Sequence, residues 1–192
     1  MRLWYACSTN SGKLAEFALA AGPDAVIRAL PGIEAIRAPE EGGKTFEENA
    51  VLKAVYYSQF AEEPVFADDS GLEVEALGGA PGVYSARFAG QNAGQAENNN
   101  LLLQRLKEKT DRRARFVTAL ALAKAGALLG TSAGTVEGEI VEAPRGENGF
   151  GYDPLFQYPP LGRTFAELTG AEKLEVSARG KALRALLQLH YK

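Results

Sequence analysis

The spacing of apolar residues changes several times along the chain, and each change marks an element. In "RLWYACST" the apolar positions are consecutive, which suits a first strand buried on both faces. "GKLAEFALAA" switches to helical spacing and closes at Gly22-Pro23, and "DAVIRAL" reads as a second strand. "TFEENAVLKAVYYSQFA" is the clearest helix: Thr45 can cap it, and Glu48 three residues later completes a capping box. "PVFADD" is a third strand, so the opening alternates β-α-β-α-β, the order of an α/β sheet. "GQAENNNLLLQRLKEK" follows as a helix. "RARFVTALALAKAGALLGTSAGTVEGEIV" then gives two or three longer strands with tight turns, and "GKALRALLQLHY" a closing amphipathic helix. With no internal repeat, the pattern predicts one mixed α/β domain over residues 1–192, built on an elongated sheet with flanking helices.

Polar residues interrupt this pattern at informative places. Phe46, Ala50, Lys53, Tyr57 and Phe60 share one stripe of their helix, so Lys53 stands on its core-facing side. An ammonium there is costly unless it snorkels out or meets an anion. Asp68 and Asp69 follow the apolar run Val65-Phe66-Ala67. Neighbours on a regular strand point to opposite faces, so the pair is expected at the strand's end, in a turn relaxed by Gly71, facing a shared pocket from two sides. Open α/β sheets bind ligands at that end of their strands. Two nearby carboxylates invite Mg²⁺, with one acid holding the ion and the other activating a water; a solvated Asp-Ser-Gly turn is the plainer alternative. Glu40 and Glu41, just before the capped helix, either complete such a site or form a solvated acidic loop.

The loop "STNSGK", Ser8, Thr9, Asn10, Ser11, Gly12 and Lys13, leads into the first helix. It can cradle phosphate through backbone N–H groups and the helix dipole, or simply cap the helix beside an incidental lysine. It is not a P-loop, because Cys7 and Leu14 stand where that pattern needs Gly and Ser/Thr. "GENGFGYDP" brings three glycines around Phe150 and Tyr152, a loop able to close over a flat ligand, with Asp153 for polar readout. Lys173 and Arg179 either add positive charge to that pocket or decorate a helix surface.

Composition narrows the chemistry. The net charge of −3 gives no overall basic field for nucleic acid, and no apolar run approaches the ~20 residues of a membrane span. A single cysteine, Cys7, excludes an internal disulfide and fits a cytoplasmic protein; a buried inert thiol is the expected state. The only histidine is His190, so histidine triads and zinc clusters are nearly excluded. Carboxylates, lysines, hydroxyls and a hard metal ion remain.

The motifs "TNSGKLAE", "TFEENAVLKA", "DDSGLEVEALGGAPGVYSARFAG", "GFGYDPLF" and a final "TFAEL…EK…S.R" run in this order along nearly the whole chain. Together they resemble the inosine triphosphate pyrophosphatase family, the non-standard purine nucleoside triphosphate pyrophosphohydrolases. The resemblance implies Mg²⁺-dependent hydrolysis of ITP, dITP and XTP to monophosphate and pyrophosphate, two lobes around a central cleft, and a homodimer. It assigns Asp69 as general base and metal ligand, Glu41 as the other ligand and Asp68 as an acidic neighbour. It assigns Ser8 to Lys13 and Lys53 to the triphosphate, and Ser70 to a substrate contact. Phe150, Gly151, Tyr152, Asp153, Lys173 and Arg179 fall to the base. Ala178 stands where the family has histidine, which removes one expected contact to the base. A nucleotide sensor without turnover, and a related enzyme for modified pyrimidines, are the rival readings.

Overall fold

The alternation read from the sequence is realised as β1 (Arg2–Ala6), α1 (Ser11–Ala21), β2 (Ala25–Ala29), α2 (Phe46–Tyr57) and β3 (Val65–Val74), in a computed structural model that describes residues 2–22 and 25–190. The chain continues through α3 (Gln95–Arg105), β4 (Arg113–Lys124), β5 (Ala127–Ile140), β6 (Phe156–Tyr158), β7 (Arg163–Thr164), α4 (Gly170–Val176) and α5 (Ala178–His190). The strands form one mixed sheet in the order β2-β1-β3-β4-β5-β6-β7. β1 pairs in parallel with β2 and β3, and every later pairing is antiparallel. Pro23, Asp24 and Tyr191, included in the elements read from sequence, lie outside the described residues.

Three expectations change. β3 does not end at the acidic pair: it runs on to Val74, paired with β4 from Val65↔Ala123 to Val74↔Ala114. Its alternation therefore persists, and Asp68 and Asp69 point to opposite faces. Phe60 leaves the helical stripe in a short 3-10 turn and is 51% exposed, because α2 stops at Tyr57. Thr45 does cap α2, accepting from Glu48 N at 3.1 Å, but the Glu48 carboxylate takes Lys44 N at 2.6 Å instead of closing the box on Thr45.

The face of β3 that carries Phe66, Asp68, Ser70, Leu72 and Val74 explains where a site can form. Phe66 packs with Leu120 and Leu122 of β4 under α1 and α5, while Leu72 and Val74 join a second core with α3, Phe156 and Phe165. Asp68, Ser70 and Thr118, which pairs with Ser70, form a polar band between these two cores. The opposite face buries Val65, Ala67, Ala119 and Ala121 against Ala50 and Ala54 of α2. Two apolar packing centres thus flank a polar interval on one sheet face, and the cleft lies there.

Candidate active site

Two adjoining cavities meet here, one over this interval and one past the end of β1 that reaches the other face of the sheet. One, of about 360 Å³, is walled by Ser70, Thr118, Phe150, Tyr152, Ala178 and Arg179 among others. The other, of about 550 Å³, is walled by the 7–10 loop, Arg37, Glu41, Lys53 and Asp68. Asn10 and Lys13 border both. The second cavity exists because β1 stops: its pairing to β3 ends at Ala6↔Phe66, and the β3 edge beyond is open to the β1–α1 loop. Side chains from both faces of the sheet reach this gap, Lys13 from α1 and Lys53 from α2.

Asp68 is nearly fully buried, 2.8 Å from Lys13 and 3.7 Å from Arg179, and accepts from Ser70 Oγ at 3.0 Å. Burial alone would raise its pKa, but the Lys13 and Arg179 charges outweigh it and hold the carboxyl well below the usual range. Asp69, on the other face, lies 3.2 Å from Lys53 and accepts from Asn49 at 3.1 Å. Burial dominates there and raises its pKa, despite the Lys53 charge and the Asn49 hydrogen bond. Lys53 also meets Glu41 at 2.9 Å; burial opposes its charge, yet Asp69, Asp68 and Glu41 together raise its pKa. So Lys53 neither snorkels nor waits unpaired: it bridges two carboxylates.

The far wall is a second buried network. Lys173 lies 2.6 Å from Asp153 and 2.7 Å from Glu16, and Arg179 pairs closely with Glu16 as well. Asp153 Oδ2 also accepts from Phe150 N at 2.8 Å, which fixes the loop and sets its ring 4.8 Å from Lys173 and 5.3 Å from Arg179. Burial raises the Asp153 pKa, whereas for Glu16 it is outweighed by Arg179 and Lys173, which lower it. Arg179 Nε is buried with no partner among the described residues. Gly12, at the start of α1, lies beneath the Phe150 ring, where a Cβ would come within 2.7 Å of it.

Most residues singled out in the sequence converge here, in altered roles. Ser8, Thr9, Asn10 and Lys13 wall the larger cavity, whereas Ser11 and Gly12 begin α1 behind it. The loop is part cap and part wall: Asn10 Oδ1 accepts from Lys13 N at 3.0 Å, and Ser8 Oγ from Asn10 N at 3.2 Å. Tyr152 lines the smaller cavity, but its hydroxyl donates to Ser85 O at 2.8 Å. Gly151 lines it too and is held by Gln95 and Asn99. Lys173 and Arg179 are buried rather than on a helix surface. Cys7 is buried with its pKa pushed up to about 12 by burial, hence inert. Glu16, Asn49 and Arg87 (3.9 Å from Glu41) escaped the sequence reading. Only the three-residue spacing of Glu16 from Lys13, which puts both on one face of α1, gave any signal.

Five cations of the site have acidic partners. Lys13, Lys53, Arg87, Lys173 and Arg179 are matched by Asp68, Asp69, Glu41, Asp153 and Glu16, and Arg37, on the wall of the larger cavity, has no such partner among the described residues. Among the described residues no three acidic, histidine or cysteine side chains converge as a complete metal cage. Glu41 and Asp69 nevertheless place one oxygen each against the same Lys53 ammonium, and two such carboxylates suit an ion that takes its other ligands from phosphate and water.

The model of the Ham1 family matches residues 4–189. A dITP/XTP pyrophosphatase from Exiguobacterium sp. AT1b is 58% identical over 151 residues, 78% of this chain and 77% of that protein. One from Acidobacterium capsulatum is 50% identical and covers 95% of each chain. Among solved structures, a HAM1 protein from Coxiella burnetii superposes with a TM-score of 0.87 at 42% identity, covering 98% of both chains. The Staphylococcus aureus Ham1 protein superposes with a TM-score of 0.86 at 40% identity, covering 98% of this chain and 97% of the other.

Proposed function

This chain belongs to the Ham1 family, and from that premise we propose that it uses Mg²⁺ to hydrolyse dITP, XTP and ITP to the nucleoside monophosphate and pyrophosphate. The activity clears non-standard purines from the nucleotide pool. The observation that carries the reading is the pair of cavities joined at Asn10 and Lys13: one has aromatic walls, the other is lined by lysines and carboxylates. A purine nucleoside fits the first, and its triphosphate continues into the second.

Roles follow from position. Lys13 and Lys53 hold phosphate oxygens, with the hydroxyls of Ser8 and Thr9 and the amide of Asn10 beside them. Asp69, whose pKa burial raises, takes a proton from the attacking water. Glu41 and Asp69 would hold Mg²⁺, which when bound supplies charge neutralisation at the phosphates. Lys13 and Lys53 are already matched by carboxylates, and that added charge frees them to meet a polyanion. Arg179, with an unpartnered Nε, and Ser70 face the base, where a donor matches a 6-oxo group and leaves a 6-amino group opposed. The same reading makes the protein a cytoplasmic homodimer with no nucleic-acid or membrane ligand. Among the described residues no helix is long and apolar enough to cross a membrane.

The test supplies ITP, dITP, XTP, ATP and GTP with and without Mg²⁺ and separates pyrophosphate from orthophosphate. We expect pyrophosphate from the first three only, only with metal, and a fall of about 10²–10⁴-fold in Asp69→Asn. Orthophosphate release, or turnover without metal, would overturn the reading. Equal cleavage of GTP would trace to the small Ala178 wall.

A further inference from the structure

We propose that Asn49 is a positioning residue: one buried amide sets the Asp69 carboxylate and the Glu41 loop relative to each other. This rests on the reading of Glu41 and Asp69 as the cation's protein ligands. Asn49 stands on α2, is 1% exposed and lines neither cavity. Its Oδ1 accepts from Gly43 N at 2.8 Å, and its Nδ2 donates to Asp69 Oδ2 at 3.1 Å. Chemistry fixes which end is which, since a backbone N–H needs an acceptor and a carboxylate needs a donor. Flipping the amide would oppose like groups at both contacts.

Gly43 follows Glu41 by two residues, and its lack of a side chain allows the contact. A Cβ there would come within 2.6 Å of Asn49 Oδ1 and 2.8 Å of Glu48 Cβ. The neighbouring Lys44 N is also tied to α2, through the Glu48 carboxylate. The loop bearing Glu41 is thus docked onto the first turns of the helix that carries Lys53. On Asp69 the amide takes Oδ2, while Oδ1 turns to Lys53 and hence toward Glu41. Without Nδ2, nothing else among the described residues donates to Oδ2, and the carboxylate is free to rotate. Partners one step behind a metal ligand are worth about 10–100-fold in metal affinity or activity.

The experiment compares wild type, Asn49→Ala and Gly43→Ala. Mn²⁺ binding to nucleotide-free protein is followed by electron paramagnetic resonance, alongside the Mg²⁺ concentration that half-saturates pyrophosphate release. Asn49→Ala should bind Mn²⁺ about tenfold more weakly and need correspondingly more Mg²⁺, with the KM for dITP at saturating Mg²⁺ little changed. Gly43→Ala keeps the Asn49 side chain and disturbs the same contact from the loop, which covers the case in which Asn49→Ala does not fold. Weakened Mn²⁺ binding in either folded variant supports the assignment. Wild-type affinity in every folded variant overturns it, whatever happens to the melting temperature. If the wild type itself neither binds Mn²⁺ nor needs Mg²⁺, the metal reading fails first and takes this inference with it.

Discussion

Lys53 shows how far a single position can be read from a helical wheel. The apolar stripe correctly marks it as an ammonium that must meet an anion, but not which anion. On the wheel alone, Lys53→Met would cost little stability, or even raise it, by relieving charge on an apolar stripe. The structure reverses that sign, because Lys53 is the shared partner of Glu41 and Asp69, both left facing each other without it. We expect Lys53→Met to cost about 2 kcal/mol in denaturant unfolding, and to weaken triphosphate binding. Stability at or above wild type would mean that the two carboxylates relax apart at no cost. The acidic pair makes the complementary point: the strand runs on past the two acids, so alternation keeps them on opposite faces. Of the expected shared pocket only Asp68 is a wall residue, Asp69 reaching the site through Lys53.

The elements meet at contacts that local sequence does not encode. The 146–154 loop lies on the first turn of α1 because Gly12 has no side chain, and Asp153 then ties that loop to Lys173 on α4. Gly12→Ala would push a methyl group into the Phe150 ring and tilt the loop away from the base cavity. We expect KM for dITP to rise about tenfold with kcat nearly unchanged, the pattern of a lost ground-state contact. Unchanged KM would show that the ring moves aside freely. The glycine pattern of both loops was legible from sequence, whereas their contact, between residues far apart along the chain, was not.

At the scale of the molecule, Glu16 joins the first helix to the last two by pairing with both Lys173 and Arg179. Its folded pKa is depressed, so the stabilisation is present above the ordinary carboxylate pKa and is lost as pH falls through the folded value. We expect Glu16→Gln to cost about 3 kcal/mol at pH 7, and the gap in melting temperature between wild type and variant to close as pH drops below about 4. A gap that stays constant with pH would assign the loss to packing rather than charge.

What the sequence determined by itself was the order of elements as far as β5 and the closing helix, the mixed α/β class, the scarcity of histidine and cysteine, and most of the residues that gather around the cleft. These depend on local periodicity and residue type, which are properties of neighbours along the chain. β6, β7 and α4 were not read from it. What only the tertiary structure decided was the pairing: Lys53 with Glu41 and Asp69, Lys173 and Arg179 with Glu16, and Asn49 between Gly43 and Asp69. The length of β3 belongs there too, since its residues beyond Asp69 are held by the ladder to β4. A buried charge chooses its partner by distance through space, and that distance is set when two apolar cores close on either side of a polar band.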